Sequence, residues 1–229
     1  MKVSINKEVF NNFNPKFKLL VISTKNINNQ NKLKESLHLL EEIVQLIKLT
    51  FNKETIKNHH LISPWAVAQE EFGKKAKHYH TSVERLIRDV ISKKSLSSKD
   101  TLTNVLRYLT LKHIIPFGVD DYDKLTGDVK FSLASGKEKA GPLRTVKQGA
   151  LYYQDKGRVL GTKLDFWKNR STNLTKYSQN ALIHFEILPP IDAKKLKALK
   201  KDASDLIKIF CGGKVKVEML DKKKSSVKI

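Results

Sequence analysis

Apolar positions change their period about halfway along the chain, and that change organises the reading. Leu33, Leu37, Leu40, Val44 and Ile47 recur at spacings of four and three, which places them on one face of a helix. Ser63-Pro64 reads as the start of a second helix, with Ser63 as cap and Pro64 in the first turn; Trp65, Ala68 and Phe72 line it and Gly73 stops it. Thr81 followed by Glu84 is a capping box, and Val83, Leu86, Ile87 and Val90 face a core behind it. Leu102, Val105, Leu106 and Leu109 predict a fourth helix before Pro116.

Strand patterns dominate the rest. Phe17–Ser23 is a short β-branched run, an early strand. Val129, Phe131 and Leu133 alternate with polar residues. Ala150–Tyr153 and Val159–Thr162 flank Asp155-Lys156-Gly157 as a hairpin. Ala181–Leu188 is a strand ended by Pro189-Pro190. Asp192 caps a last helix whose inward face is Leu196, Leu199, Ala203, Leu206 and Phe210. Gly212-Gly213 closes it, and Lys214–Met219 is a final strand. The expected fold is mixed α/β (α+β): one compact domain over residues 1–220, helices mainly in the first half, and a largely antiparallel or mixed sheet in the second. Residues 221–229 (DKKKSSVKI) read as a basic flexible tail.

Charge narrows the partners. Lys plus Arg is 44 against 23 for Asp plus Glu, a net +21, and a surplus of that size favours polyanions. The cations are 38 Lys and only 6 Arg. Lysine meets phosphate as a point charge, whereas reading base edges prefers the planar fork of arginine. A nucleic-acid partner would therefore be held by its backbone. The alternative is coding bias, since Lys, Asn and Ile are abundant together. No apolar run approaches the roughly 18 residues of a membrane span, and no apolar leader follows Met1, so the expected location is cytoplasmic, with no membrane partner. A single cysteine, Cys211, excludes an internal disulfide and a multi-cysteine zinc site.

Searching for chemistry removes several classes. There is no GxGxxG, P-loop or GxSxG pattern. His59-His60 and His78-Tyr79-His80 lack the spacing of a metal site, so no metal and no cofactor are expected. Cys211 reads as a small packed apolar group. Gly118 to Asp123 carries three carboxylates, suited either to acid/base chemistry or to a solvated turn. Lys74, Lys75 and Lys77 adjoin His78 and Tyr79, a pairing of cations and rings that suits a single-stranded RNA end or an ordinary basic loop.

Three stretches in order, Ile62–Val90 (Pro, Trp, Phe-Gly, then Ser-Val-Glu-x-Leu), Leu102–Gly136 (helix, Pro, Gly, aspartates, strand) and Gly149–Pro190, resemble the free-standing relatives of the tRNA-editing region of the phenylalanyl-tRNA synthetase beta subunit, the B3/4 domain. That resemblance runs from about Val3 to Leu220. It implies an α/β fold with a pocket for the 3′ end of an aminoacylated tRNA. In the synthetase the pocket hydrolyses the ester of tyrosine wrongly joined to the phenylalanine tRNA. Selecting tyrosine needs a polar partner for its hydroxyl.

Aligned on the family, Pro116, Gly118, Asp121, Asp123, Leu174-Thr175, Asn180-Ala181 and Glu186 match. Where the family has Asp, Asn and Ser on its central helix, this chain has Asn104, Arg107 and Thr110, and Ala150 replaces an acidic residue. The resemblance implies Asn104, Arg107 and Thr110 as catalytic candidates. It implies Tyr108, Gly118, Asp120, Asp121, Thr175, Ser178 and Asn180 around the substrate, and Lys74, Lys75 and Lys77 on the tRNA. Arg107 would hold a phosphate or the oxyanion, or else pair with a surface acid. The expected partner is tRNA rather than DNA, and the expected activity is hydrolysis of a mischarged aminoacyl-tRNA in trans. The alternatives are an inactive tRNA- or RNA-binding module and a free amino-acid-binding protein.

Overall fold

Two β-sheets lie one over the other, with helices on the outer face of the second. The computed structural model describes residues 1–142 and 144–229, the side chains of Lys75 and Ala76 excepted. The first sheet holds β1 (Lys2–Ile5), β4 (Val129–Leu133), β5 (Leu151–Gln154), β6 (Val159–Thr162) and β9 (Ser226–Lys228), in the order β6-β5-β4-β1-β9. Only β1 and β4 pair in parallel. The second sheet holds β2 (Lys18–Lys25), β3 (Phe117–Asp121), β7 (Ala181–Ile187) and β8 (Lys214–Leu220), in the antiparallel order β3-β7-β2-β8.

Covering both faces of the second sheet explains why β2 and β7 read as unbroken runs rather than alternations. Leu19, Val21 and Leu182 point into the core shared with the first sheet. Leu20, Ile22, Ile183, Phe185 and Ile187 point the other way, onto α4 (Thr101–His113) and α5 (Ala193–Cys211). A third apolar cluster joins α4 to α1 (Leu33–Thr50) and α3 (Ser82–Ile91) through Leu40, Ile43, Ile47, Val83, Ile87, Val90 and Leu111.

Local signals set several element ends. The Thr81 capping box forms in full, Glu84 returning its carboxylate to the Thr81 N–H at 2.9 Å. Asp192 caps α5 through the Lys195 N–H at 2.7 Å. The hairpin of β5 and β6 forms in antiparallel register.

Three expectations are corrected and one is extended. Helix α2 (Ser63–Glu70) has Ile62, not Ser63, at its N-cap, and Ser63 lies inside the first turn. The inward face of α5 is wider than expected: Leu206 and Phe210 pack half-buried against the core, and Ile207 and Cys211 are buried with Ala203. Asp120 and Asp121 are not in a solvated turn but at the buried end of β3, where they are paired. The last residues are not a loose tail: β9 lies against β1, with Val227 opposite Val3 and buried. An isolated valine among lysines carries no periodicity, so the strand appears only when β1 offers its edge.

Candidate functional site: a cleft along the edge of β3

Strand β3 is the last strand of its sheet, and a cleft of about 600 Å³ runs along it. Its floor is Phe117, Gly118 and Val119; its walls come from α3, the loop Ser95–Ser98, the first turns of α4, and the segment from Phe166 to Leu174. Asp100 caps α4 through the Thr103 N–H at 2.8 Å, which fixes the helix end beside the opening. Asn104 holds the serine loop: its Oδ1 accepts from the Ser98 N–H at 2.7 Å, and its Nδ2 donates to Ser36 Oγ at 3.1 Å.

Three cations border the cleft, and they differ in how far they are committed. Lys168 has its three protons taken by Asp120, Thr172 and the Asn169 carbonyl, so it is a locked structural cation. Arg85 leans on Asp89 at 3.5 Å. Arg107 gives one guanidinium N–H to the Leu96 carbonyl, which leaves donors for a ligand. Burial pulls the Arg107 pKa down while Asp100 and Asp89 oppose it; a guanidinium remains charged through any such shift.

Beneath the floor is a buried cluster of charged and aromatic groups. Lys163 Nζ lies 2.8 Å from Glu186 Oε1, and His184 Nδ1 lies 2.5 Å from the same oxygen. His184 stands edge-on to Phe131 and Tyr153, and Lys163 sits 4.5 Å above the Tyr153 ring. Tyr153 donates its hydroxyl to Asp120 at 2.9 Å, which joins this cluster to Lys168. Burial and then Asp120 push the Tyr153 pKa well up. Burial, then Lys163, lowers that of His184. Burial alone would raise Glu186, yet Lys163 and His184 hold it below its ordinary value. Burial lowers the Lys163 pKa while Glu186 and then Asp120 oppose the fall; the 2.8 Å contact is that of an ammonium on a carboxylate, and His184 donates its Nδ1 hydrogen bond to the same carboxylate.

Gly118 makes this arrangement possible. It pairs with His184 across β3 and β7, so a side chain there would share a face with the ring. A β-carbon at 118 would stand 2.1 Å from His184 Cε1 and 2.7 Å from Lys163 Nζ. His184 Nε2 and Glu186 Oε2 have no protein partner and are sealed from solvent.

The sequence-derived candidates fall in three places. Arg107 and Gly118 reach the cleft. Asn104 backs its serine wall. Thr110 is fully buried, with Oγ1 unpartnered, and does not line the cleft; Tyr108 is half-buried between two apolar clusters. Asp120 is spent on Lys168, Thr172 and Tyr153. Asp121 accepts from Ser178 Oγ at 2.7 Å, and Ser178 Oγ in turn accepts from the Thr175 N–H at 2.9 Å. These three border a separate shallow pocket of about 200 Å³. Asn180 donates to Asp123 at 2.8 Å and accepts from the Asn26 N–H, which ties two loops. Lys74 and Lys77 edge a third hollow with Lys57; the Lys75 side chain lies outside the described residues. The chemistry missed in the sequence is Lys163 and His184. A usable signal existed, because His184 and Glu186 interrupt an apolar strand at a spacing of two and so share one face.

Among the described residues no group of three or more His, Cys, Asp or Glu is arranged to hold a metal ion, and no helix is long and apolar enough to cross a membrane. The model of the B3/4 domain family matches residues 65–211, from α2 to the end of α5, and includes the whole cleft. The search of curated proteins gives no match. Among solved structures, the chain is similar to an N-terminal fragment of the phenylalanyl-tRNA synthetase beta-subunit from Pyrococcus horikoshii, at 11% identity and a TM-score of 0.44. The similarity covers 93% of this chain and 49% of that one, so the chain spans about half the fragment's length.

Proposed function

This chain belongs to the B3/4 domain family, and on that premise we propose that it binds tRNA, takes the aminoacylated 3′ end into the cleft along β3, and hydrolyses the ester of a mischarged tRNA in trans. The observation that carries the reading is the guanidinium of Arg107, which keeps donors beyond its bond to the Leu96 carbonyl, in a cleft of about 600 Å³, on a chain of net charge +21. That volume suits a nucleoside with an attached amino acid. An aminoacyl ester is already activated, so positioning water and stabilising the oxyanion are the main needs. Arg107 supplies charge for the oxyanion or the terminal phosphate, and the Ser95, Ser97 and Ser98 hydroxyls offer partners for ribose and water. Lys74 and Lys77 lie beyond the site as contacts for the tRNA backbone.

One observation favours a second reading, tRNA binding without turnover: among the described residues no histidine lines the cleft, and His184 is sealed beneath its floor. The test separates the two. The protein is incubated with tyrosyl-, phenylalanyl- and other aminoacyl-tRNAs, and ester loss is followed beside tRNA affinity. Hydrolysis that falls about 100-fold in Arg107→Ala, the order of one lost oxyanion donor, supports deacylation. Tight, salt-sensitive binding of tRNA with no ester loss supports the binding module. Binding of a free amino acid without tRNA affinity overturns both.

A further inference from the structure

Helix α5 carries a basic face that plays no part in the cleft. Lys194, Lys197, Lys201 and Lys208 are all exposed, and their spacings of three, four and seven place them along one side of the helix. The stripe is about 21 Å long at 1.5 Å per residue. Its lysines form no ion pair among the described residues; the acid in the middle of α5, Asp202, is turned to Lys112 and His113 of α4, at 2.8 and 3.0 Å. Asp205, four positions after Lys201 and three before Lys208, is exposed in the same row, which keeps an excess of four lysines over one acid. The opposite side of α5 is spent on the core through Leu196, Leu199, Ala203, Ile207 and Cys211, so the lysines face away from α4 and the second sheet.

The direction of α5 relates the stripe to the cleft. Asp202 meets the C-terminal end of α4, whereas Cys211 accepts from the Asn28 N–H, and the neighbouring Asn29 bonds Asp100, the cap at the N-terminal end of α4. The two helices therefore run antiparallel, with Lys208 toward the N-terminal end of α4; α5 packs on the Leu102, Leu106 and Leu109 side of that helix, and the cleft lies along its Asp100, Thr103 and Arg107 side.

From this we infer that the lysine face of α5 seats the phosphate backbone of a double-helical stem of the tRNA; the inference rests on the tRNA reading above. Lysine without arginine matches a backbone contact that reads no bases. Duplex RNA offers its phosphates and shape rather than base edges to such a surface. A duplex presents a charge roughly every 1.7 Å of axis, so a row of this length meets several phosphates.

The test compares deacylated tRNA binding across a salt series for the intact protein, for Lys194, Lys197, Lys201 and Lys208 all changed to Gln, and for a control of equal charge with the exposed Lys7, Lys16, Lys34 and Lys48 changed to Gln. The α5 variant is expected to lose at least about tenfold in affinity at 0.1 M salt. Its log–log salt slope should shrink by about three to four, near one per lysine. The control should keep most of the affinity. Equal losses in both variants would mean a diffuse field and overturn the inference while leaving tRNA binding in place. No binding by the intact protein overturns the tRNA reading and this inference together. Binding of anionic vesicles through the α5 lysines, with tRNA affinity unchanged, also overturns it. Because all four residues are exposed, circular dichroism is expected to be unchanged, and a binding loss then reports the surface.

Discussion

Replacing Glu186 by glutamine removes the carboxylate paired with the Lys163 ammonium at 2.8 Å, leaving only the weaker field of Asp120 among the acids acting on it. Lys163 is 7% exposed and Glu186 is fully buried, so solvent cannot take over. Glutamine keeps the size of the side chain and an oxygen that accepts from His184 Nδ1, so the perturbation is mainly one of charge. Breaking a buried pair this way costs about 3–5 kcal/mol. The protein can limit the cost by deprotonating Lys163. At pH 7, holding neutral a group whose ordinary pKa is 10.5 costs about 5 kcal/mol, which sets a ceiling of the same size. The sign follows from that ceiling. In the variant, unfolded Lys163 binds a proton that the folded state lacks, so the stability of the variant rises with pH at up to about 1.4 kcal/mol per unit between pH 7 and 10. Urea unfolding at pH 7, 8 and 9 measures this against the unmodified protein. A deficit near 4 kcal/mol that narrows with pH is expected. A deficit under about 1 kcal/mol with no pH dependence would refute the buried pair. Changing Lys163 to Met and Glu186 to Leu together should cost less than Glu186→Gln alone, because no charge is left unpaired.

Three further outcomes follow from the same geometry. Gly118→Ala places a methyl 2.1 Å from His184 Cε1; thermal unfolding should show a loss of about 1–3 kcal/mol, and an unchanged midpoint would mean that the ring is not held against β3. Thr81→Ala removes the side-chain half of the capping box of α3 and should cost about 1 kcal/mol in urea; a loss below about 0.3 kcal/mol would contradict the cap. His80 is held down to about 4 by burial, then by Arg88 and Lys57. The unfolded chain takes up that proton nearer 6.5, so stability should fall as pH drops from about 6.5 to about 4. Discounted for partial solvation, the fall is about 1–2 kcal/mol; His80→Gln should flatten that segment, and an identical profile would sink the assignment.

What the sequence revealed follows the range of the interactions involved. Capping boxes, helix faces and the β5–β6 hairpin depend on residues a few positions apart, so Thr81 with Glu84, Asp192, and Leu102 to Leu109 were all readable. Strands β1 and β9 depend on each other across the whole chain, and neither Lys2–Ile5 nor Ser226–Lys228 carries a local pattern strong enough to declare itself. The site divides along the same line. Arg107 and Gly118 border the cleft because a helix and a strand fix their directions. Asp120, Asp121 and Asn180 read as free polar groups, but each meets a partner more than 50 positions away in sequence or on another loop. Lys163 escaped notice because only the packing of one sheet on the other brings it to Glu186. Residue type and neighbours could not separate a cation committed to a buried acid from one, such as Arg107, with donors to spare.

The central claim is that the 3′ end of tRNA enters the cleft along β3. The most direct measurement is a photo-cross-link from a tRNA whose terminal adenosine carries a reactive group, with the attachment sites mapped by mass spectrometry. Attachment within Ser95–Ser98, Phe117–Val119 or Phe166–Leu174, competed away by unlabelled tRNA, is the predicted result. Attachment confined to the hollow at Lys74 and Lys77 or to the pocket at Asp121 and Ser178, with none in the cleft, would contradict it.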